Sequence, residues 1–105
     1  MQPDVQRVLA EFHAAGKPIG AVCIAPAIVA LAFRGRGFEL TVGARGDASG
    51  ELEKLGHRHV EKKANEWHLD RHNGIVTTPA YMFDDASLRD VFSGVHGLVR
   101  ELAGL

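Results

Sequence analysis

Hydrophobic and polar positions change period several times along the chain, and each change marks an element. Val5, Val8, Leu9 and Phe12 recur at i, i+3, i+4 and i+7. This spacing predicts an amphipathic helix over residues 3–15 with Gly16 as its cap. Residues 18–22 form an uncharged apolar run that reads as a buried strand, and Pro26 then opens an apolar helix reaching about residue 33. Phe38, Leu40 and Val42 alternate as one face of a strand, and the Gly, Ser and Asp content of residues 43–50 predicts a loop. Leu52 and Leu55 mark a short helix ending at Gly56.

Residues 57–62, with two lysines and little apolar content, suit a solvated edge strand. Residues 67–70 and 75–78 flank Arg71-His72-Asn73-Gly74. Asn-Gly there predicts a hairpin, because both residues tolerate positive φ. Asp84 or Asp85 is then expected to cap a long final helix in which Leu88, Val91, Phe92, Val95, Leu98 and Leu102 recur at helical spacing.

Four helices alternating with about four strands predict an α/β fold, a three-layer sandwich around a mainly parallel sheet with a small β-hairpin. The strand at 18–22 is expected at the centre of that sheet, since it is uniformly apolar. One small domain is what 105 residues allow. With 46% hydrophobic and 24% charged residues and a net charge of −1, composition recommends neither a nucleic-acid nor a membrane partner. The N-terminus shows no basic region followed by an apolar segment, so no secretory signal is read there. A single cysteine makes no internal disulfide and suits a reducing compartment, so a cytoplasmic location is expected.

That cysteine, Cys23, stands between the apolar strand and the Pro26 helix, with Ala21 and Ala25 two residues to either side. The arrangement matches a nucleophile elbow, a sharp turn that lifts a reactive side chain into a pocket. Backbone N–H groups of the following helix would favour a thiolate and hold an oxyanion. The competing reading is a small buried hydrophobe. Thr77-Thr78-Pro79-Ala80-Tyr81, after the last strand, reads either as lining for that pocket or as a proline-fixed strand end. Six histidines invite a metal reading, but none stands with a carboxylate or thiolate at a recognised ligand spacing, so no metal site is expected. The glycines form no phosphate-binding pattern.

Gly16-Lys17-Pro18-Ile19-Gly20, Cys23-Ile24-Ala25-Pro26-Ala27 and, downstream, Ile75-Val76-Thr77-Thr78-Pro79-Ala80-Tyr81-Met82 resemble the ElbB-type branch of the ThiJ/PfpI superfamily. These are class I glutamine amidotransferase-like proteins with a flavodoxin-like sheet. The resemblance covers nearly all of the chain but only the C-terminal half of such a domain, so residues 1–105 are expected to be a partial domain. It implies a cofactor-free glyoxalase-like activity on glyoxal or a related 2-oxoaldehyde. Cys23 would be the catalytic residue, Ile24, Gly20 and Ala25 would form the oxyanion and elbow positions, and Thr78, Pro79 and Tyr81 would line the pocket. Where the family's glutaminases and proteases carry His after the cysteine, this chain has Ile24, which argues against glutamine hydrolysis and proteolysis. The family's acidic partner for the cysteine belongs to the N-terminal half. The expected partners are therefore an aldehyde substrate and either a second copy of the chain or a separate N-terminal half. The alternative is a non-catalytic or split subunit. A His68-x-Asp70 pattern is shared with some relatives and reads as a surface or interface strand.

Overall fold

A computed structural model describes residues 3–83 and 85–105. In chain order the elements are α1 (Pro3–Ala14), β1 (Ile19–Val22), α2 (Ala25–Ala32), β2 (Glu39–Leu40), α3 (Asp47–Lys54), β3 (Arg58–His59), β4 (His68–Asp70), β5 (Ile75–Thr78) and α4 (Leu88–Gly104), with a 3₁₀ turn at Ala80–Met82.

β1, β5 and β4 lie side by side in that order. β1 runs parallel to β5 in a register that pairs Ile19 with Ile75 and Val22 with Thr78. β4 returns antiparallel to β5, with Asp70 opposite Ile75, as the hairpin reading requires. Only Gly74 of the hairpin loop takes positive φ, at +70°, so the loop relies on its glycine and not on the Asn-Gly pair.

A second, parallel pair joins β2 to β3. Side chains fasten its free edge to the first sheet in place of a backbone ladder. Asp70 Oδ2 accepts from the Glu39 N–H at 2.8 Å, Thr77 Oγ1 accepts from the Thr41 N–H at 3.0 Å, and the His68 ring lies 2.7 Å from Glu39 Oε1. Asp70 is buried and also accepts from the backbone and side-chain amides of Asn73. It is a structural hub, buried inside a strand that the sequence reading gave as a surface or interface strand.

The two faces of the sheet are covered by different helices. Ile19, Ala21 and Ile75 join Val29, Ala30 and Phe33 of the α2 region, and Phe38, Leu40 and Leu52, in one core. On the other face α4 lies against β1 and β5. It approaches so closely that a Cβ on Gly20 would stand 2.6 Å from Leu102, and one on Gly94 would stand 2.7 Å from Thr78 Oγ1. A side chain on Gly97 would overlap the Trp67 ring, whose Nε1–H donates to Glu101 Oε1 at 3.3 Å. The three layers are those the alternation of elements predicts.

Four expectations need correction. β1 is not central among the described residues: β5 flanks it on one side and its other edge carries no strand, because the rest of a parallel sheet is not contributed by these residues. The 43–50 loop is half helical, since α3 starts at Asp47; Ser49 Oγ both accepts from the Gly46 N–H and donates to the Gly46 carbonyl, closing the first turn. The cap of α4 is Ser87, whose side chain accepts from the Asp90 N–H. Asp84 lies outside the described residues, and Asp85 falls too early to reach that turn. His57 is buried and not on a solvated edge: its Nδ1 accepts from the Phe38 N–H at 3.1 Å, and its Nε2, facing the Ala30 carbonyl at 2.9 Å, must carry the hydrogen. The helix expected at the N-terminus is present as α1, but none of its residues is buried, and Val5, Val8 and Phe12 are each more than two-fifths exposed. The apolar stripe predicts the helix correctly, but this chain does not cover it.

Candidate active site

β1 ends at Val22 and α2 starts at Ala25, so the chain passes from strand to helix in two residues. Cys23 absorbs the change of direction with φ +64°, and Ile24 follows at φ −94°, ψ −10° as the residue before the helix. A left-handed conformation at a residue bearing a Cβ costs on the order of 1–2 kcal/mol, so the surroundings must hold it in place. They do so at both ends. The Cys23 N–H donates to the Thr78 carbonyl at 2.9 Å, extending the β1–β5 ladder by one residue, and the Ala27 N–H donates back to the Ile24 carbonyl at 2.9 Å. Pro26 needs no N–H acceptor in the first turn of α2. Buried Ala21 and half-buried Ala25 leave the turn uncrowded.

The thiol itself is free and half-buried. Around it Pro26 has no N–H and the Ala27 N–H is taken by the Ile24 carbonyl, so the Ile24 and Ala25 N–H groups stand at the positive end of the helix. The arrangement can present a sulfur to a carbonyl carbon and donate to the oxygen that becomes negative. It holds no histidine next to the cysteine, because the following residue is Ile24, which is 53% exposed.

The other predicted site residues fall in several places. Ile24 and Ala25 are part of the turn. Gly20 is not: it faces α4, where its missing side chain makes room for Leu98 and Leu102. Thr78 reaches Cys23 only through its backbone carbonyl. Its hydroxyl donates to the Glu66 carbonyl at 2.6 Å on the α4 side of the sheet, so it does not point into a pocket beside the thiol. Pro79 is buried, and Tyr81 is 56% exposed on the 3₁₀ turn. Ala80, at φ +48°, is a second left-handed residue that the sequence did not signal, since alanine carries no mark of such a conformation. Phe83 and Pro79 pack against Gly43, tying the loop after β5 to the loop after β2. Between those loops lies a cavity of about 250 Å³ lined in part by Ala44, Lys62, Lys63 and Phe83. It opens at the carboxyl ends of the strands, the same end as Cys23 and the end where open α/β sheets build their sites. Among the described residues no group of three or more metal-binding side chains is gathered, and no helix is long and apolar enough to cross a membrane.

No family model matches the chain. It is 40% identical over 111 residues to the human glutamine amidotransferase-like class 1 domain-containing protein 3, a mitochondrial protein, and 37% identical to the mitochondrial ES1 protein homolog of Rattus norvegicus. Each match takes in 97% of the chain. The chain spans about two-fifths of the length of these relatives, 40% and 41%. A solved structure from Ehrlichia chaffeensis, an isoprenoid biosynthesis protein with an amidotransferase-like domain, superposes with a TM-score of 0.87 at 32% identity. That superposition covers 97% of this chain and 47% of the other. In both sequence and fold, therefore, the chain is similar to part of the class I glutamine amidotransferase-like proteins, and it has the fold of part of an amidotransferase-like domain.

Proposed function

We propose that Cys23 is the nucleophile of a cofactor-independent, glyoxalase-like reaction of the ElbB type, in a domain whose C-terminal half is this chain. The observation that carries the reading is the strand-to-helix turn at Cys23: φ +64° at a thiol-bearing residue, pinned by its amide to Thr78, with a helix N-terminus beside it. Strain of this kind persists where the surrounding structure enforces it, and it clusters at reactive positions.

With glyoxal as substrate, the Cys23 thiolate adds to one aldehyde carbon, and the Ile24 N–H holds the resulting oxyanion. The hemithioacetal then passes the hydrogen of that carbon to the neighbouring carbonyl carbon through an enediol, which leaves a thioester. Water hydrolyses the thioester, releasing glycolate and restoring the thiol. The sum is glyoxal plus water to glycolate plus a proton, with no net redox change and no need for a metal or redox cofactor. The proton transfers need an acid–base group, typically worth about 10²–10⁴-fold in rate. We assign that group to the part of the domain not contained in this chain, supplied by an N-terminal half. Mitochondrial names among the relatives broaden the expected location from the cytoplasm to any compartment that keeps thiols reduced.

The test is glycolate production from glyoxal by the chain with and without a separately expressed N-terminal half. Activity with both parts, abolished in Cys23→Ala, is the expected result; activity that survives Cys23→Ala overturns it. A second reading, a subunit without catalysis of its own, is favoured by the two-fifths share of its relatives that the chain spans. It predicts that the two halves associate and yield no glycolate.

A further inference from the structure

We infer that the groove at the end of the sheet opposite Cys23 is a binding site for a small phosphate-bearing anion. The groove has a volume of about 340 Å³ and forms where the C-terminal end of α1 meets the β4–β5 hairpin loop, with Pro18, Gly74 and Leu105 also lining it. Cys23 follows the last residue of β1, whereas Pro18 precedes the first. One strand length therefore separates the groove from the thiol, about 13 Å for four residues.

Its side-chain charge is positive. Lys17 and Arg71 line it together with His13 and His72, and none of its lining side chains is a carboxylate; the one acid at the groove is the terminal carboxylate of Leu105. The chain as a whole carries a net charge of −1, so the pairing of Lys17 with Arg71 here is a local excess of positive charge. The acid closest in sequence, Asp70, is buried and held by the Glu39 and Asn73 N–H groups and by the Asn73 side-chain amide. Glu11, one turn back on α1, is paired with Arg7 at 3.5 Å. The last carbonyls of α1 would repel an anion if they were bare. They are not, because the Lys17 N–H donates to the Phe12 carbonyl and the Gly16 N–H to the His13 carbonyl, both at 3.0 Å.

The donors match a tetrahedral anion better than a planar one. Arg71 offers a planar fork, His72 a ring nitrogen, and Lys17 a point charge with three donors, which rests over the Phe12 ring at 5.1 Å from its centroid and would swing from there to an anion. His13 is fixed between the Phe33 and Phe38 rings, with its Nε2 on the Asn73 carbonyl at 3.2 Å, so one wall is preset. A carboxylate has two oxygens in one plane to meet such a spread of donors. A phosphate has three or four, and the volume leaves room for a few atoms beyond it.

The probes are inorganic phosphate and glycerol 3-phosphate, titrated into the isotope-labelled chain at constant ionic strength, with chloride as the control and amide chemical shifts as the readout. The expected result is saturable shifts at residues 16–18 and 71–74. Affinity for both probes should fall by about tenfold or more in Arg71→Gln and Lys17→Gln, as expected for loss of a charge-assisted contact, and hold in Lys62→Gln. Tighter binding of glycerol 3-phosphate identifies a phosphorylated metabolite as the ligand, and tighter binding of the inorganic ion identifies free phosphate. Arg71 and Lys17 are both exposed, so neither change threatens the fold. Shifts that appear equally with chloride, or an affinity that survives both substitutions, overturn the assignment.

Discussion

The flank built by β2, α3 and the Phe38 region and the flank built by α1 carry equally clear apolar patterns, and only one of them is covered. Phe38, Leu40 and Leu52 have no exposed surface at all, whereas Val5, Val8 and Phe12 keep 43–47% of theirs. Ile24, just before α2, and Ile28 within it keep 53% and 43%. Among the described residues β1 adds an edge without a strand beside it. Periodicity tells which face of an element needs cover. It does not tell whether the same stretch of chain provides it. The chain spans two-fifths of its relatives, and uncovered apolar side chains stand on α4 too, where Leu88, Phe92 and Val99 are 76%, 69% and 54% exposed.

The strongest test of this contrast compares Leu52→Ala with Phe12→Ala in urea unfolding. Truncating the fully buried leucine should cost about 2–5 kcal/mol, and truncating the half-exposed phenylalanine less than about 1 kcal/mol. Equal losses would mean that α1 is packed as firmly as α3. Asp70→Ala comes next. Removing that carboxylate leaves the Glu39 and Asn73 amides without their acceptor, at a cost of about 1–3 kcal/mol per buried unsatisfied group. Because Asp70 joins β2 to the hairpin, amide exchange should quicken at both places, and exchange that quickens only in the hairpin would show that β2 is held by other means.

On the bare flank, Val8→Glu should leave the unfolding midpoint within about 0.5 kcal/mol of wild type. It should also shift the sedimentation coefficient toward that of a monomer, because exposed apolar faces and strand edges recruit a second chain. An unchanged coefficient would place any self-association elsewhere.

The smallest effect concerns His59, whose buried Nε2 has no hydrogen-bond partner. Desolvation by burial holds its pKa below the usual 6.5, outweighing the pull of Glu53 and Glu61 in the other direction, while Arg45 lowers it further. The unfolded chain therefore binds this proton more readily than the folded one. Stability should be at its full value above about pH 6.5 and decline as pH falls from there through the lower folded-state value. His59→Phe should flatten that decline, and an identical slope in the variant would exclude His59 as its source.

Much of the fold could be read from local chemistry. The helix at residues 3–14, the strand before Cys23 and the hairpin around Gly74 each follow from spacing, a glycine or a proline that acts within a few residues. What escaped was decided by distant partners. Nothing near Asp70 or His57 announces that their side chains will take up the Glu39 and Phe38 N–H groups, which come from residues 19 to 31 positions away. The strand-to-helix turn at Cys23 was legible for the same reason the helices were. Its neighbours in the site were less so: Gly20 turned out to serve helix packing, and Thr78 engages the cysteine through a backbone atom, which no side-chain pattern encodes.

The contact between Trp67 and Gly97 gives the molecule an optical probe of its own. Trp67 is the chain's one tryptophan, and its ring lies flush against the surface that Gly97 leaves open on α4, tethered to Glu101 of the same helix. Emission from the indole therefore reports one event, the seating of α4 on the segment leading into β4. Far-ultraviolet dichroism sums over all four helices. A red shift of the fluorescence at a denaturant concentration where the dichroism is still native would mark α4 as the first layer to lift away, exposing Gly20 and the β1–β5 face beneath it.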